Sequence, residues 1–316
     1  MEALDCDLTV ACPAFPATGR TIYKGHLFVF DELLSDSSMR NHPLTPMTDP
    51  SLVQVLQRQT RLSVGLVGME DVMQGVSSIK SAFDRLRNNG IRIAIVDAIS
   101  DAQLFEIGQA CKNMILVTGG SGIACGLPKN FSRAGYNTST YKNFPEITGA
   151  EAIITGSCSV TTLKQLAYAK QLHPVYQIDP TFVMTGKDVV SNALSWAMEY
   201  LGSKRPIFAA SAEPNAVATA QEQFGQIEIS EALENVMASI AQGIVEKGVR
   251  RLIVAGGETS GAVVQKLGIS ALRIGPEIDP GVPWCETLNQ PSMALALKSG
   301  NFGEEDFFTK AFEMLP

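Results

Sequence analysis

Short apolar runs alternate along this chain with longer amphipathic stretches, and the alternation becomes regular from Leu62 onward. Leu62 to Val67, Ile91 to Val96 and Met114 to Val117 are apolar runs of strand length. Between them, Ser77 to Arg87 and Asp101 to Cys111 carry helical periodicity, the second with Ser100 placed to cap it. Strands alternating with helices predict a parallel sheet with right-handed crossovers, whose ligands sit beyond the carboxyl ends of the strands. Arg133 to Ala150 then loses periodicity, gains polar, Gly and Pro residues, and reads as a connection. A second series follows, with strands at Ala152 to Thr155, Val175 to Ile178, Ile207 to Ala210, Leu252 to Ala255 and Met293 to Leu297. Its helices are expected from Thr161 to about Leu172, Lys187 to Gly202 and Ser230 to Lys247. The expected architecture is α/β with two domains, residues 1–150 and 151–316, each built on a largely parallel sheet flanked by helices.

The first sixty residues are less regular. Met1 to Asp7 looks like the tail of a helix, followed by a strand-like run, Leu8 to Cys12. Thr21 to Phe30 reads as another strand, and Gly19-Arg20-Thr21 before it is a turn carrying one cation. Asn41 to Pro50 holds Pro43, Pro46 and Pro50, which forbid helix or central strand and stiffen a loop around His42, Thr45 and Asp49. Such a loop serves a substrate or braces a domain edge. Leu272-Arg273-Ile274 is expected to be followed by a loop, Gly275 to Trp284.

Three turns carry the candidate chemistry. Leu252 to Ala255 runs into Gly256 and Gly257, then into Thr259 or Ser260 as a cap for a helix with Ala262, Val263, Val264 and Leu267 on one side. A strand, a glycine turn and a helix N-terminus direct N–H donors and a positive dipole end to one spot, which suits phosphate; the same pattern also makes a tight βα turn that binds nothing. Gly156-Ser157-Cys158-Ser159 is a second such turn. Thr118-Gly119-Gly120-Ser121-Gly122 approaches a dinucleotide fingerprint but has Cys125 at the third glycine position. No GxxxxGK[ST] is present, since Gly186-Lys187 is followed by Asp188. A nucleotide, if bound, is held without a Walker P-loop.

Composition narrows the classes. With 45% hydrophobic and 18% charged residues the chain is that of a globular protein, and a net charge of −7 argues against nucleic acid and anionic membranes as partners. The six cysteines are scattered without a CxxC pair, and the three histidines are dispersed, so no metal cluster is indicated. No apolar run reaches membrane-spanning length and no signal-peptide pattern opens the chain, which makes a cytoplasmic location the expectation.

Longer motifs carry a family resemblance. GGETSG (256–261), IGPEIDPGVPW (274–284) and ALKSGNFG (296–303) resemble the C-terminal nucleotide-binding domain of the four-carbon acid sugar kinases. GSCS (156–159), VTGGSG (117–122), GRT (19–21) and HPLTPM (42–47) match the same family in the same order, nearest to its 3-oxo-tetronate kinase branch. The resemblance implies an enzyme that transfers phosphate from ATP, with Mg²⁺, to the terminal hydroxyl of a four-carbon sugar acid. It places Ser157, Ser159, Gly256, Gly257, Glu258, Thr259 and Gly300 at the nucleotide, and Arg20, His42, Gly119, Gly120, Ser121 and Gly122 at the sugar acid. Lys298 either offsets charge on the transferring group or is an ordinary solvated lysine. A small-molecule acid and ATP are the expected partners, and a homo-oligomer is compatible with the sequence.

Family members begin with an Asp-Asp-x-Thr-Gly turn, and carry a later Lys-x-Cys-Ser-Thr-x-Asp-Ser-Thr-like segment, that this sequence lacks. The expectation is an N-terminally truncated sugar-acid domain whose catalytic acid lies in the missing part. Asp97 and Asp49 are the substitutes within the chain. The alternative is a nucleotide-binding remnant without catalysis, and a third reading, a dehydrogenase-like dinucleotide binder, rests on VTGGSG alone.

Overall fold

A computed structural model gives the fold; it describes residues 1–41, 45–131, 144–211, 222–288 and 291–316. The chain divides into two compact units, Met1–Thr140 and Tyr141–Pro316.

In the first unit the elements run β1 (Thr9–Cys12), β2 (Arg20–Tyr23), β3 (His26–Val29), β4 (Glu32–Leu33), α1 (Leu52–Gln57), β5 (Val64–Val67), α2 (Met69–Val72) and α3 (Val76–Asn88). They continue with β6 (Ile93–Val96), α4 (Asp101–Ala110), β7 (Val117–Gly119) and α5 (Ser121–Ala124). Strands β5, β6, β1 and β7 lie in that order in a fully parallel sheet. The middle strands bury side chains on both faces, Val10, Ala94, Ile95 and Val96 among them, which is why they read as continuous apolar runs. Helix α3 turns Ile79, Ala82 and Phe83 to the core and leaves its charges outside. Gln103 accepts a hydrogen bond from Ser100 N–H at 3.1 Å, half of a capping box that starts α4 where expected.

Three early expectations change. Thr21 to Phe30 is a hairpin, not one strand: β2 and β3 pair antiparallel, and Lys24 and Gly25, with φ of 50° and 71°, make the two-residue turn. Met1 to Asp7 holds one 3₁₀ turn, Glu2–Leu4. The third strand starts at Val117, where the run from Met114 was expected to end.

The second unit runs β8 (Ala150–Thr155), α6 (Val160–Ala169), β9 (Val175–Gln177), α7 (Pro180–Met184), α8 (Val189–Ala197), β10 (Ile207–Ala209) and α9 (Gln226–Glu246). It closes with β11 (Val249–Ala255), α10 (Gly257–Lys266), β12 (Leu272–Asp279), β13 (Val282–Thr287), β14 (Ala294–Lys298) and α11 (Phe307–Glu313). The sheet order is β12-β13-β14-β11-β8-β10-β9. From β14 to β9 all neighbours are parallel, and β12 and β13 form an antiparallel edge. Helices cover both faces: Ile154 packs with Ala193, Ala197 and Ile240 on one side, and Ile153 with Leu166, Ala169 and Phe308 on the other. The expected loop Gly275 to Trp284 is the end of β12, a Pro280-Gly281 turn and the start of β13. Pro276 is tolerated in β12 because that is the edge strand, and Pro283 lies at the start of β13, beyond its pairing with β14. The helix expected from Lys187 is the shorter α8, preceded by α7, which Asp179 caps by accepting from Thr181 N–H at 2.8 Å.

Candidate functional site

Strands β8, β11 and β14 are adjacent and parallel, so their carboxyl ends deliver three turns to one place: Gly156 to Ser159, Gly256-Gly257, and Ser299-Gly300. Backbone bonds tie them together. Gly256 N–H donates to Lys298 O at 2.9 Å and Gly156 N–H to Ala255 O at 3.0 Å. The two turns named from the sequence of the second domain, and Gly300, which the family resemblance implied, are thus brought together.

Within it the glycines differ in purpose. Gly256 has φ of 130°, and a Cβ there would stand 3.0 Å from Thr259 Oγ1 and 3.2 Å from Ser157 N. Gly156 lies directly against the Thr259 hydroxyl. Thr259 is therefore a buried filler between two glycine turns, and neither it nor Ser260 caps the helix; Gly256 occupies that position. Gly257 is the exception. It is exposed, it opens α10, and a Cβ on it would meet nothing within 4 Å. The first-turn amides of a ten-residue helix stand beside open space, and the dipole favours an anion there. Glu258, exposed, supplies the acidic side chain of that turn.

The serines form a chain. Ser157 Oγ donates to Ser159 Oγ at 3.2 Å, and Ser159 Oγ donates to Gly300 O at 2.6 Å while accepting from Thr162 N–H at 3.2 Å. Ser159 is thus committed as the N-cap of α6 and as an anchor for Gly300, whereas Ser157 has the freer hydroxyl. A Cβ on Gly300 would come within 3.0 Å of Ser159 Oγ, so this glycine is required by close approach.

Beneath the turns lies a polar layer that sequence reasoning missed. Lys298 is 1% exposed, not solvated; its Nζ donates to Thr162 Oγ1, Ser299 O and Gly300 O, each at 3.0 Å. Burial pulls its pKa down to about 7. Thr162 Oγ1 also reaches Gly300 O at 2.8 Å, and the fully buried Gln165 shares its Nε2 among the carbonyls of Phe302, Gly303 and Glu304 at 3.1, 2.9 and 2.9 Å. Thr162 and Gln165 occupy one face of α6 at i, i+3 spacing, the available signal, but a Thr and a Gln among helix residues do not announce burial.

In the first unit, β1 and β7 end side by side, and Gly119, Gly120 and Gly122 lie against the Cys12 to Phe15 segment that leaves β1. A Cβ at Gly120 would be 3.2 Å from Pro13 O and one at Gly122 3.0 Å from Phe15 Cα. Phe15 in turn exchanges backbone bonds with Arg20, which brings Arg20 to the same end of the sheet. The half-buried Arg20 guanidinium donates to Thr18 O and Thr18 Oγ1 at 3.1 and 3.2 Å, and burial lowers its pKa. Ser121, exposed, opens the four-residue α5. His42 lies outside the described residues.

Neither candidate acid sits openly at that loop. Asp97 is fully buried and accepts from the N–H groups of Lys24, Gly25 and Met69 at 2.7, 2.8 and 3.0 Å. Burial pushes its pKa up, against the pull of those donors. Its evident work is to pin the β2–β3 turn and the start of α2 to the end of β6. Asp49 pairs with Arg58 at 2.5 Å and accepts from Ser51 N–H at 2.9 Å, and the Arg58 bond holds its pKa low. Among the described residues no group of three or more His, Cys, Asp or Glu is placed to hold a metal ion, and no helix is long and apolar enough to cross a membrane.

Comparison with known proteins matches this division. A family model described as a sugar-binding N-terminal domain covers residues 1–127, and one described as a nucleotide-binding C-terminal domain covers residues 152–308. The 3-oxo-tetronate kinase of Pseudomonas fluorescens is 48% identical over all of this chain and 73% of its own length. That of Burkholderia multivorans is 47% identical over all of this chain and 74% of its own. A crystal structure from Salmonella typhimurium LT2, solved as a candidate tRNA synthase, superposes with a TM-score of 0.80 at 38% identity, covering all of this chain and 75% of that one. The chain belongs to the family of the 3-oxo-tetronate kinases, with a sugar-binding domain followed by a nucleotide-binding domain.

Proposed function

We propose that this protein is an ATP-dependent kinase that phosphorylates the terminal hydroxyl of a four-carbon sugar acid such as 3-oxo-tetronate. The observation that carries the reading is the junction of three parallel-strand ends at Gly257, where helix amides stand beside space that a Cβ would not fill. The triphosphate lies along Gly256, Gly257 and the amides of Glu258 and Thr259, with Ser157, Ser159 and Gly300 bounding it. Mg²⁺ would be held mainly by the phosphates, and Glu258, the exposed carboxylate of this turn, would be its candidate protein ligand.

Phosphoryl transfer needs positioning and charge stabilisation more than covalent chemistry from the protein. Arg20 and the backbone at Gly119, Gly120, Ser121 and Gly122 bind the acid's carboxylate, with His42 as a further contact. A carboxylate that orients the attacking hydroxyl is worth ~10²–10⁴-fold. The burial of Asp97 and the ion pair at Asp49 favour a second reading, nucleotide binding without transfer.

A coupled assay of ADP release with 3-oxo-tetronate, threonate and erythronate separates the two. Acid-dependent turnover supports the kinase. ATP binding without turnover on any of the acids supports the second reading, and absence of MgATP binding overturns both.

A further inference from the structure

Lys298 ends the strand beside the glycine turn, yet its side chain points inward and is all but inaccessible. Three oxygens stand 3.0 Å from Nζ: Thr162 Oγ1, Ser299 O and Gly300 O. An ammonium has three protons and no lone pair, so the set matches the charged form donor for acceptor. A neutral amine would turn a lone pair towards one of the oxygens. None of the three is a carboxylate; the cation is held as a bare monovalent cation is held, by backbone carbonyls and a hydroxyl.

Gly300 O is the focus of this arrangement. Ser159 Oγ, Thr162 Oγ1 and Lys298 Nζ all donate to it, at 2.6, 2.8 and 3.0 Å. In a trans peptide the N–H points opposite to the C=O. Drawing the carbonyls of Ser299 and Gly300 towards Nζ therefore turns the amides of Gly300 and Asn301 away from it. Gln165 Nε2 lies within hydrogen-bond distance of three carbonyls further along, those of Phe302, Gly303 and Glu304, and shares its two protons among them. The loop after β14 is thus held from below by its carbonyls, over a buried cation.

We propose that Lys298 is a positioning residue, an internal cation that orders the loop after β14 so that the Gly300 amide, turned away from Nζ, faces the phosphates, without itself touching them. This rests on the nucleotide reading of the site given above. It differs from a lysine that reaches the transferring phosphoryl group, because every Nζ proton already has a protein acceptor.

The test is calorimetric titration with MgATP at about pH 6.5, below the lowered lysine pKa so that Nζ keeps its proton, paired with hydrogen–deuterium exchange. Lys298→Met keeps the length and the burial but has no donor. Its expected affinity is roughly 10–100-fold weaker than that of the unsubstituted protein, with faster exchange confined to residues 299–304. Unchanged affinity overturns the proposal. So does weaker binding with faster exchange throughout the sheet, which would mean general destabilisation. Weaker binding with the loop still protected would also overturn it, in favour of direct contact with the phosphates.

Lys298→Ala leaves room for an added amine. Recovery of binding by ethylammonium but not by tetramethylammonium, which has the charge and no N–H, supports the hydrogen-bonding role; equal recovery by both overturns it. If the unsubstituted protein fails to bind MgATP, the nucleotide reading itself fails. If Lys298→Met binds as tightly as the unsubstituted protein, only this inference does.

Discussion

The two units each end a parallel strand in a glycine-rich turn, and the glycines are there for different reasons. In the first unit Gly119, Gly120 and Gly122 lie against the backbone of Cys12, Pro13, Ala14 and Phe15, so a side chain on them would strike the neighbouring segment. In the second unit a side chain on Gly257 would meet nothing, because the space beside it is open. A glycine that a protein needs for its own packing is already explained. One that faces empty space at the start of a helix invites a ligand. The contrast favours the second unit as the anion site, and leaves the first unit's loop to act through whichever backbone groups its packing leaves exposed.

Gly257→Val is the strongest way to break this comparison. The branched side chain enters open space, so the fold is kept, and MgATP affinity is expected to fall by about 100-fold or more, equivalent to ~2.7 kcal/mol. Calorimetric titration beside a thermal melt checks both halves. Equal affinity in a folded variant would remove the turn from the nucleotide site.

Gly122→Ala is the counterpart in the first unit. Its methyl group would meet Ala14 O and the Phe15 backbone, and overpacking of this kind costs about 1–3 kcal/mol. Both tryptophans, Trp196 and Trp284, belong to the second unit, so indole fluorescence follows that unit alone while far-ultraviolet circular dichroism follows both. The expected result is an earlier transition by dichroism with the fluorescence transition unmoved. No loss of stability would mean that this loop has more room than its packing shows.

Asp97→Asn asks whether the buried acid holds structure or performs chemistry. One oxygen must become an amide group facing backbone N–H donors, and leaving a buried donor unsatisfied costs about 1–3 kcal/mol. The expectation is lower stability of the first unit with MgATP binding unaffected. A loss of turnover of ~10²-fold or more without loss of stability would make Asp97 the hydroxyl-activating acid instead.

Apolar periodicity carried most of this architecture in the sequence, because strands buried on both faces must be continuously apolar, as Leu252 to Ala255 are. It failed where chain reversal depends on two residues. Lys24-Gly25 joins two strands that read as one, and Pro280-Gly281 hides a hairpin inside what read as a loop. The turns of the site were legible because glycine and serine next to a strand end have few other uses. Their support was not. Lys298 read as a charge-offsetting cation or as a solvated lysine, and Thr162 and Gln165 as ordinary helix residues, since burial of a polar side chain is decided by what the opposite strand end brings to it. The Asp97 anchor was invisible for a related reason: its partners are backbone amides 28, 72 and 73 residues away.

The smallest expected effect sharpens the comparison most finely, because it concerns a glycine that neither packing nor an open turn accounts for. Gly261 lies inside α10, four residues beyond Gly257, and a Cβ on it would meet nothing within 4 Å. Glycine in a helix interior is less favourable than alanine by about 0.5–1 kcal/mol. If only the fold set this position, Gly261→Ala should raise the stability of the second unit by that amount and leave MgATP affinity unchanged. A higher melting temperature by indole fluorescence, with an unaltered titration, would confine the ligand to the first turn of α10. A higher melting temperature with weaker binding would show that the nucleotide runs along the helix as far as its second turn, and would extend the site from GGET to the whole of GGETSG. A lower melting temperature would contradict the open space around Gly261.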